Sequence, residues 1–314
     1  MTTLDSLATE YRTITEGCGL VDRTERGKLA LTGTEVKSFL QGQVSNDTES
    51  LTEGHGCYAA FLTPKGKMLG DLRILDAGQE VLLDTERVAL QELFNMIRRF
   101  SIGYAVELHK RTLESGLLSL VGPQSDAVTR AAFGAVPGSA EHEHLAAGAV
   151  RLIRTDVGID VLFDAASTER VREAASDAGA EPVSEAAAEC LRIEHGRPRY
   201  GIDLDDSVIP QEAGLNERAV SFTKGCYVGQ ETVARLFYRG KPNRYLRGLR
   251  SEEPLEPGTE LRYEDRVAGR VTSVAVSPRF GPIALAFVRR EVPVGATMND
   301  GEAAAAEVVE LPFA

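Results

Sequence analysis

One thiol stands apart from the other three in this chain. Cys226 lies in Lys224-Gly225-Cys226-Tyr227-Val228-Gly229-Gln230-Glu231, two residues after a lysine and between two glycines. The thiolate is the nucleophilic form of cysteine, and a neighbouring cation favours it. Gly225 and Gly229 let backbone approach a ligand closely. A nucleophilic cysteine also needs a positioned base. None of the five histidines (His55, His109, His142, His144, His195) is near in sequence. Residue types alone leave two readings open: a reactive thiol, or an inert one at a tight turn.

The window from Lys224 to Arg250 holds seven basic residues (Lys224, Arg235, Arg239, Lys241, Arg244, Arg247, Arg250) and one acid, Glu231. It is therefore +6 in a chain of net charge −12, and the remainder is −18. Such an island is a candidate anion site; the plainer reading is a solvated strand with its arginines pointing out. The overall charge argues against general nucleic-acid or anionic-membrane binding and leaves room only for a local patch. No direct nucleic-acid contact is expected. Two further carboxylates sit inside apolar strands: Asp71 in Gly70-Asp71-Leu72-Arg73 and Asp160 in Gly158-Ile159-Asp160-Val161. Each faces solvent or serves a site. Arg192 and Glu194 lie on one helical stretch but not on one face.

Several chemistries are excluded by absence. There is no Walker-type phosphate loop, no G-x-G-x-x-G after a strand, no G-x-S-x-G and no HExxH. The cysteines Cys18, Cys57, Cys190 and Cys226 form no CxxC, so no metal site and no unaided iron–sulfur cluster is expected. No apolar run approaches the roughly 20 residues of a membrane span. Met1 to Thr13 has neither a basic nor an apolar leader region, which makes the cytoplasm the expected location.

The elements that must position these groups follow from hydrophobic periodicity. The 314 residues imply two or three domains. Strands are predicted at 28–31, 57–62, 68–75, 80–83 and 104–108, with helices at 34–40 and 87–99. A similar order recurs: strands at 117–121, 150–155 and 159–163, with helices at 125–133 and 167–178. Leu31-Thr32-Gly33 before a helix is similar to Leu120-Val121-Gly122 before a helix, a faint sign of two related α+β units. A helix at 186–195 precedes an irregular stretch over 200–223. From Tyr245 onward, short strands alternate with Pro and Gly turns, which predicts a small all-β barrel or sandwich.

The segment 224–231 resembles the signature of the YgfZ family, folate-binding relatives of the glycine cleavage T protein. That signature runs Lys-Gly-Cys-aromatic-x-Gly-Gln-Glu, and every fixed position is met. Ile209-Pro210-Gln211-Glu212, Ala234-Arg235 and Arg239-Gly240 are similar to the same family, as are Phe39 to Asp47 and Tyr58 to Leu75. The resemblance implies an α+β fold. Two ferredoxin-like lobes of the T-protein type (1–112 and 113–241) and a C-terminal β-barrel (242–314) would surround a central opening.

The resemblance also implies a role for each site residue. Tetrahydrofolate or a derivative would be the cofactor, contacted by Asp71, Asp160 and Arg192, with Arg235 and Arg239 near its glutamate carboxylates. The chain has no tryptophan, so ring stacking would fall to Tyr200, Tyr227 or an arginine plane. Cys226 would be the reactive thiol, Lys224 its electrostatic activator, and Gln230 and Glu231 its orienting neighbours. The implied function is support of iron–sulfur cluster assembly or repair and of cluster-dependent tRNA modification. Iron–sulfur assembly proteins or client enzymes would be the partners. The alternative is a folate-dependent aminomethyltransferase or demethylase with Asp71 as acid/base. Two departures bear on that alternative: the T-protein acidic pair here reads Gly70-Asp71, and Asp160 is shorter than the usual Glu.

Overall fold

The computed structural model describes residues 4–301 and 305–314. The chain divides into two compact units. The first comprises Met1–Leu62, Leu69–Ala188 and Arg218–Val228; the second comprises Thr63–Met68, Glu189–Glu217 and Gly229–Ala314.

The first unit holds two sheets. The five-stranded sheet has the order Gly56–Leu62, Met68–Asp76, Val81–Thr85, Gly27–Thr32, Glu107–Lys110. The six-stranded sheet runs Glu181–Pro182, Gly19–Asp22, Ser115–Val121, Gly158–Asp164, Val150–Arg154, His144–Ala147. The faint repeat is physical. The strand Gly27–Thr32 turns into the helix Val36–Gln43 at Gly33, and Ser115–Val121 turns into Ser125–Phe133 at Gly122. The two glycines have φ of 123° and 124°. A Cβ at Gly33 would lie 2.0 Å from the carbonyl oxygen of Ala105, and one at Gly122 would lie 2.5 Å from that of Gly17. Only glycine tolerates both the left-handed φ and the close backbone.

Strand alternation sorts the side chains. On Gly158–Asp164, Ile159, Val161 and Phe163 join Val128, Val171 and Ala175 from the two helices of that half in one apolar core. The period of two sends Asp160 to the opposite face. Its cross-strand partner is Ser119. On Met68–Asp76, Asp71 and Arg73 share a face, and Arg73 lies opposite Asp84 on Val81–Thr85. An ion pair between Arg73 Nη1 and Asp160 Oδ2 (2.6 Å) ties the two sheets together. The apolar faces are covered by helices, and the polar faces carry the charge.

The second unit is built on a closed six-stranded barrel: Arg244–Ser251, Gly281–Arg289, Arg266–Ser277, Glu260–Tyr263, Thr297–Asn299 and Ala305–Val309. Closure leaves no unpaired sheet edge. Leu249, Leu261, Val271, Ala286, Val288, Met298 and Val308 fill the interior. The mixed α+β fold with a C-terminal β-barrel agrees with the sequence reading.

Several local readings change, and the strands Gly19–Asp22, His144–Ala147 and Glu181–Pro182 were not foreseen. The helix Leu4–Glu16 was not foreseen, although Ile14 on it is fully buried. The strand expected at 104–108 forms later, at Glu107–Lys110, because Tyr104 N donates to Ser101 O in a turn. The basic island is not one strand. Its first half is the helix Gln230–Arg239, entered through Gly229 at φ 85° and ended at Gly240 before Pro242. Its second half is the barrel strand Arg244–Ser251. No helix among the described residues is long and apolar enough to cross a membrane.

Candidate functional site

The Cys226 loop is pinned by its lysine. Lys224 Nζ donates to the carbonyl oxygens of Gln41 (2.8 Å), Val44 (2.7 Å) and Asn46 (2.8 Å). These lie at the C-terminal end of the helix Val36–Gln43 and just beyond it, where carbonyls lack helical partners and a cation is favourable. An ammonium has three donors, and all three are used. Burial lowers the Lys224 pKa to about 8, against the opposing pull of Asp47. The cation also lies 5.0 Å from the ring centroid of Tyr227, which is itself buried. Two backbone bonds complete the attachment: Ser221 N to Ser45 O (3.0 Å) and Val228 N to Gly42 O (3.2 Å).

Between Lys224 and Val228 the loop is open at Gly225 and Cys226. Cys226 is exposed, and a Cβ built on Gly225 would meet nothing within 4 Å. The other thiols differ: burial raises Cys18 to about 11 and Cys57 and Cys190 to about 12. The geometry makes Lys224 the anchor that presents Cys226. Lys224→Met is therefore expected to speed hydrogen exchange at the amides of Ser221 and Val228 and to cost about 1.5–3 kcal/mol. Alkylation of Cys226 should be as fast or faster in the variant. Slower alkylation with unchanged exchange would instead mark Lys224 as an electrostatic activator.

Asp71 is the second centre. It is buried, and its Oδ2 accepts from Tyr58 Oη at 2.5 Å. Burial raises its pKa to about 6, with Glu86 adding to the rise and the Tyr58 bond and Arg26 opposing it. The Arg218 guanidinium lies 5.2 Å from the Tyr58 ring centroid and pairs with Glu141. Arg218 Nε is buried and has no acceptor among the described residues. Asn46 connects both centres. Its side-chain Nδ2 donates to the carbonyls of Tyr58 (2.8 Å) and Arg218 (3.2 Å), while its main-chain carbonyl accepts from Lys224. Asp71, Tyr58, Asn46 and the Lys224 anchor thus form one continuous contact network.

Asp160 is engaged elsewhere. Ser119 Oγ donates to its Oδ1 (2.6 Å), and Arg73 holds its Oδ2. Arg73 also holds Asp84 through Nε (2.6 Å), and Asp84 pairs with Arg26 Nε at 2.8 Å. Arg26 pairs in turn with Glu86. Burial alone would raise Asp84, but the two arginines outweigh it and hold its pKa at about 2. Alternating carboxylates and guanidiniums form a buried string in which each charge has a partner.

The remaining predicted residues lie in the second unit. Arg192 is saturated: it donates to Glu189 Oε2 (3.0 Å), Arg197 O (2.5 Å), Asp203 Oδ2 (2.7 Å) and Ser273 Oγ (2.8 Å). These bonds tie its helix to the following loop and to the barrel. Tyr200 is half-buried and bridges to Leu204. Gln230 and Glu231 open the helix on which Arg235 and Arg239, four residues apart, are exposed. Gln211 and Glu212 brace the loop before the motif. Gln211 Nε2 donates to Val233 O (2.5 Å), and Glu212 Oε2 accepts from Arg244 (3.2 Å).

Sequence reasoning missed Tyr58, Arg73, Asn46 and Arg218. Arg73 was findable, since it follows Asp71 by two on a strand and shares its face. Tyr58, Asn46 and Arg218 meet through contacts spanning up to 172 positions, which no local pattern signals.

The family model for the GCVT N-terminal domain matches residues 2–224, and that for the glycine cleavage T-protein C-terminal barrel domain matches residues 244–314. The chain is 29% identical over 311 residues to the chloroplastic "Putative transferase" of Arabidopsis thaliana, covering 95% of this chain and 71% of that one. It is 29% identical over 249 residues to the tRNA-modifying protein YgfZ of Colwellia psychrerythraea, covering 76% of this chain and 74% of that one. The crystal structure of glycine cleavage system aminomethyltransferase T from Bartonella henselae shares the fold, with a TM-score of 0.90 at 24% identity, over 100% of this chain and 91% of that one. The chain therefore belongs to the glycine cleavage T-protein family and is a homologue there of the tRNA-modifying protein YgfZ.

Proposed function

We propose that this protein binds a tetrahydrofolate-type cofactor in its first unit. There it would support iron–sulfur cluster assembly or repair and the tRNA-modifying chemistry that depends on it. The observation that carries the reading is the network joining an exposed Cys226, through the Lys224 anchor and Asn46, to the Tyr58–Asp71 pair. The donor set fits a pterin: a carboxyl that can accept or donate, an aromatic ring beside it, and the buried Arg218 Nε in need of an acceptor. A reduced folate, when bound, supplies a carrier for one-carbon units. Asp71 would hold or move a proton against it, Tyr58 would orient Asp71, and Cys226 would serve partner proteins as the accessible thiol. Iron–sulfur assembly proteins or client enzymes are the proposed partners, in the cytoplasm.

Calorimetric titration of the intact chain with tetrahydrofolate tests the cofactor. Saturable binding that Asp71→Ala weakens at least tenfold is expected, and no binding ends the proposal. Cells carrying Cys226→Ala should lose cluster-dependent tRNA modification. Full retention of that modification would remove the thiol from the function.

One observation favours a second reading. An Asp71 that titrates near pH 6 suits general acid/base work. This is the chemistry a folate-dependent aminomethyltransferase or demethylase would ask of it. Methylene-tetrahydrofolate formation from a methylamine donor, dependent on Asp71 and indifferent to Cys226, would select that reading.

A further inference from the structure

The barrel unit carries a cleft of about 780 Å³ whose lining is strongly cationic. Lys67, Arg244, Arg270, Arg289 and Arg290 face it, opposed by Glu212 and Glu291. The net +3 lies in a chain whose total is −12. No chemistry described above uses this cleft.

Its geometry concentrates like charge. Arg244 and Arg289 are direct cross-strand partners on the strands Arg244–Ser251 and Gly281–Arg289. Arg270 lies opposite Phe287 on one side and opposite Glu260 on the other. Like charges placed opposite one another in a sheet are destabilising. Two of the five cations are fixed by the protein and make the floor. Arg244 lies 4.7 Å from the Phe287 ring centroid and donates to Ser207 O (3.0 Å) and Glu212. Lys67 Nζ donates to the same Ser207 carbonyl at 2.5 Å. The other three are countered only weakly. Arg289 approaches Glu291 at 3.6 Å with both side chains mostly exposed, a pair of little worth. Arg270 and Arg290 are exposed and have no ion-pair partner among the described residues.

Four of the five cations are arginines, whose planar forks match phosphate oxygens two at a time. The volume falls in the range of small-molecule sites and exceeds what a single anion needs. We propose that this cleft binds closely spaced phosphate groups, from an RNA backbone segment or from a free oligophosphate. The overall negative charge does not forbid this, because the field at a groove is set by the nearest charges once salt screens the rest beyond about 10 Å.

The test uses the intact chain with two probes: a short fluorescein-labelled single-stranded RNA followed by anisotropy, and inorganic triphosphate as competitor. RNA binding should weaken with salt, with a log–log slope of about −0.7 for each phosphate contacted. The double variant Arg270→Ala/Arg290→Ala removes exposed groups without an ion pair among the described residues, so its melting temperature should be unchanged. Its affinity should fall about tenfold or more, and its salt slope should shrink by about 1.4 for two lost contacts. Arg98→Ala/Arg99→Ala, with the same loss of charge on the first unit, should leave binding unchanged. Triphosphate displacing RNA at comparable concentration would identify a free oligophosphate as the ligand; RNA binding far more tightly would identify the backbone. The proposal is overturned if neither probe binds, or if both double variants behave alike. It is also overturned if an oligoglutamate of equal charge binds as well as the phosphates.

Discussion

Arg73→Met lowers the stability of the chain by about 3–5 kcal/mol at neutral pH, the expected cost of removing one partner from a buried ion pair. The arginine holds Asp84 within its own sheet and Asp160 in the other. Without it, two buried carboxylates remain, held among the described residues by Arg26 on Asp84 and the Ser119 hydroxyl on Asp160. Arg73→Lys should recover only part of the loss, because a point ammonium does not reproduce the fork that spans two carboxylates.

The acid limb of unfolding gives a second readout. Asp84 has a folded pKa of about 2, below its unfolded value, so its stabilisation is present above about pH 4 and is lost as pH falls through 2. In Arg73→Met that folded pKa rises, so acid unfolding should begin at higher pH. Urea unfolding at neutral pH and an acid titration followed by circular dichroism measure both effects. Equal stability of variant and wild type would mean that the string of charges contributes nothing.

Asp71→Asn has the opposite sign. The folded Asp71 pKa, about 6, lies above the unfolded value, so the folded chain binds the proton more readily. Its carboxylate costs nothing below about pH 4, and the full cost is present above about pH 6. Across that window the cost amounts to about 3 kcal/mol, from 1.36 kcal/mol per pKa unit. Asparagine keeps the shape and an acceptor for Tyr58 but cannot ionise. Urea unfolding near pH 4 and at about pH 7.5 should therefore show a gain for the variant that grows by about 2–3 kcal/mol between the two. The same substitution should abolish any proton transfer at this position. A variant more stable but inactive would show that the buried carboxyl is kept for function at the expense of the fold. A pH-independent difference would mean that Asp71 is not held in the protonated form by its surroundings.

Much of the architecture was legible along the chain because it is written in local terms. The period of two marked most strands of the two sheets, though not Gly19–Asp22, His144–Ala147 or Glu181–Pro182, and Pro and Gly turns marked the barrel. Gly33 and Gly122 announced the two strand–helix corners, since a φ near 123° admits little else. The helix Gln230–Arg239 was hidden because arginines and a Phe-Tyr pair mask its apolar face, where only Val233 is buried. The candidate site was half legible. Cys226, Lys224 and Asp71 were singled out as candidates by type and by family resemblance, and the structure adds Tyr58 and Asn46 as the contacts that join them.

By itself the sequence determined the Lys-Gly-Cys signature, the α+β and barrel elements, and which charged residues lie within apolar strands. Only the tertiary structure decided which of those charges are already spent. The family resemblance implies Arg192 as a ligand contact, and in the folded chain the following loop and the barrel engage its donors. Asp160 is likewise claimed by Arg73 and Ser119. Lys224 stands two residues from the thiol, yet its three protons go to carbonyls some 180 positions away. The physical reason is common to all three. A buried charge must find partners, and the partner that wins is the nearest in space, which spacing along the chain does not reveal.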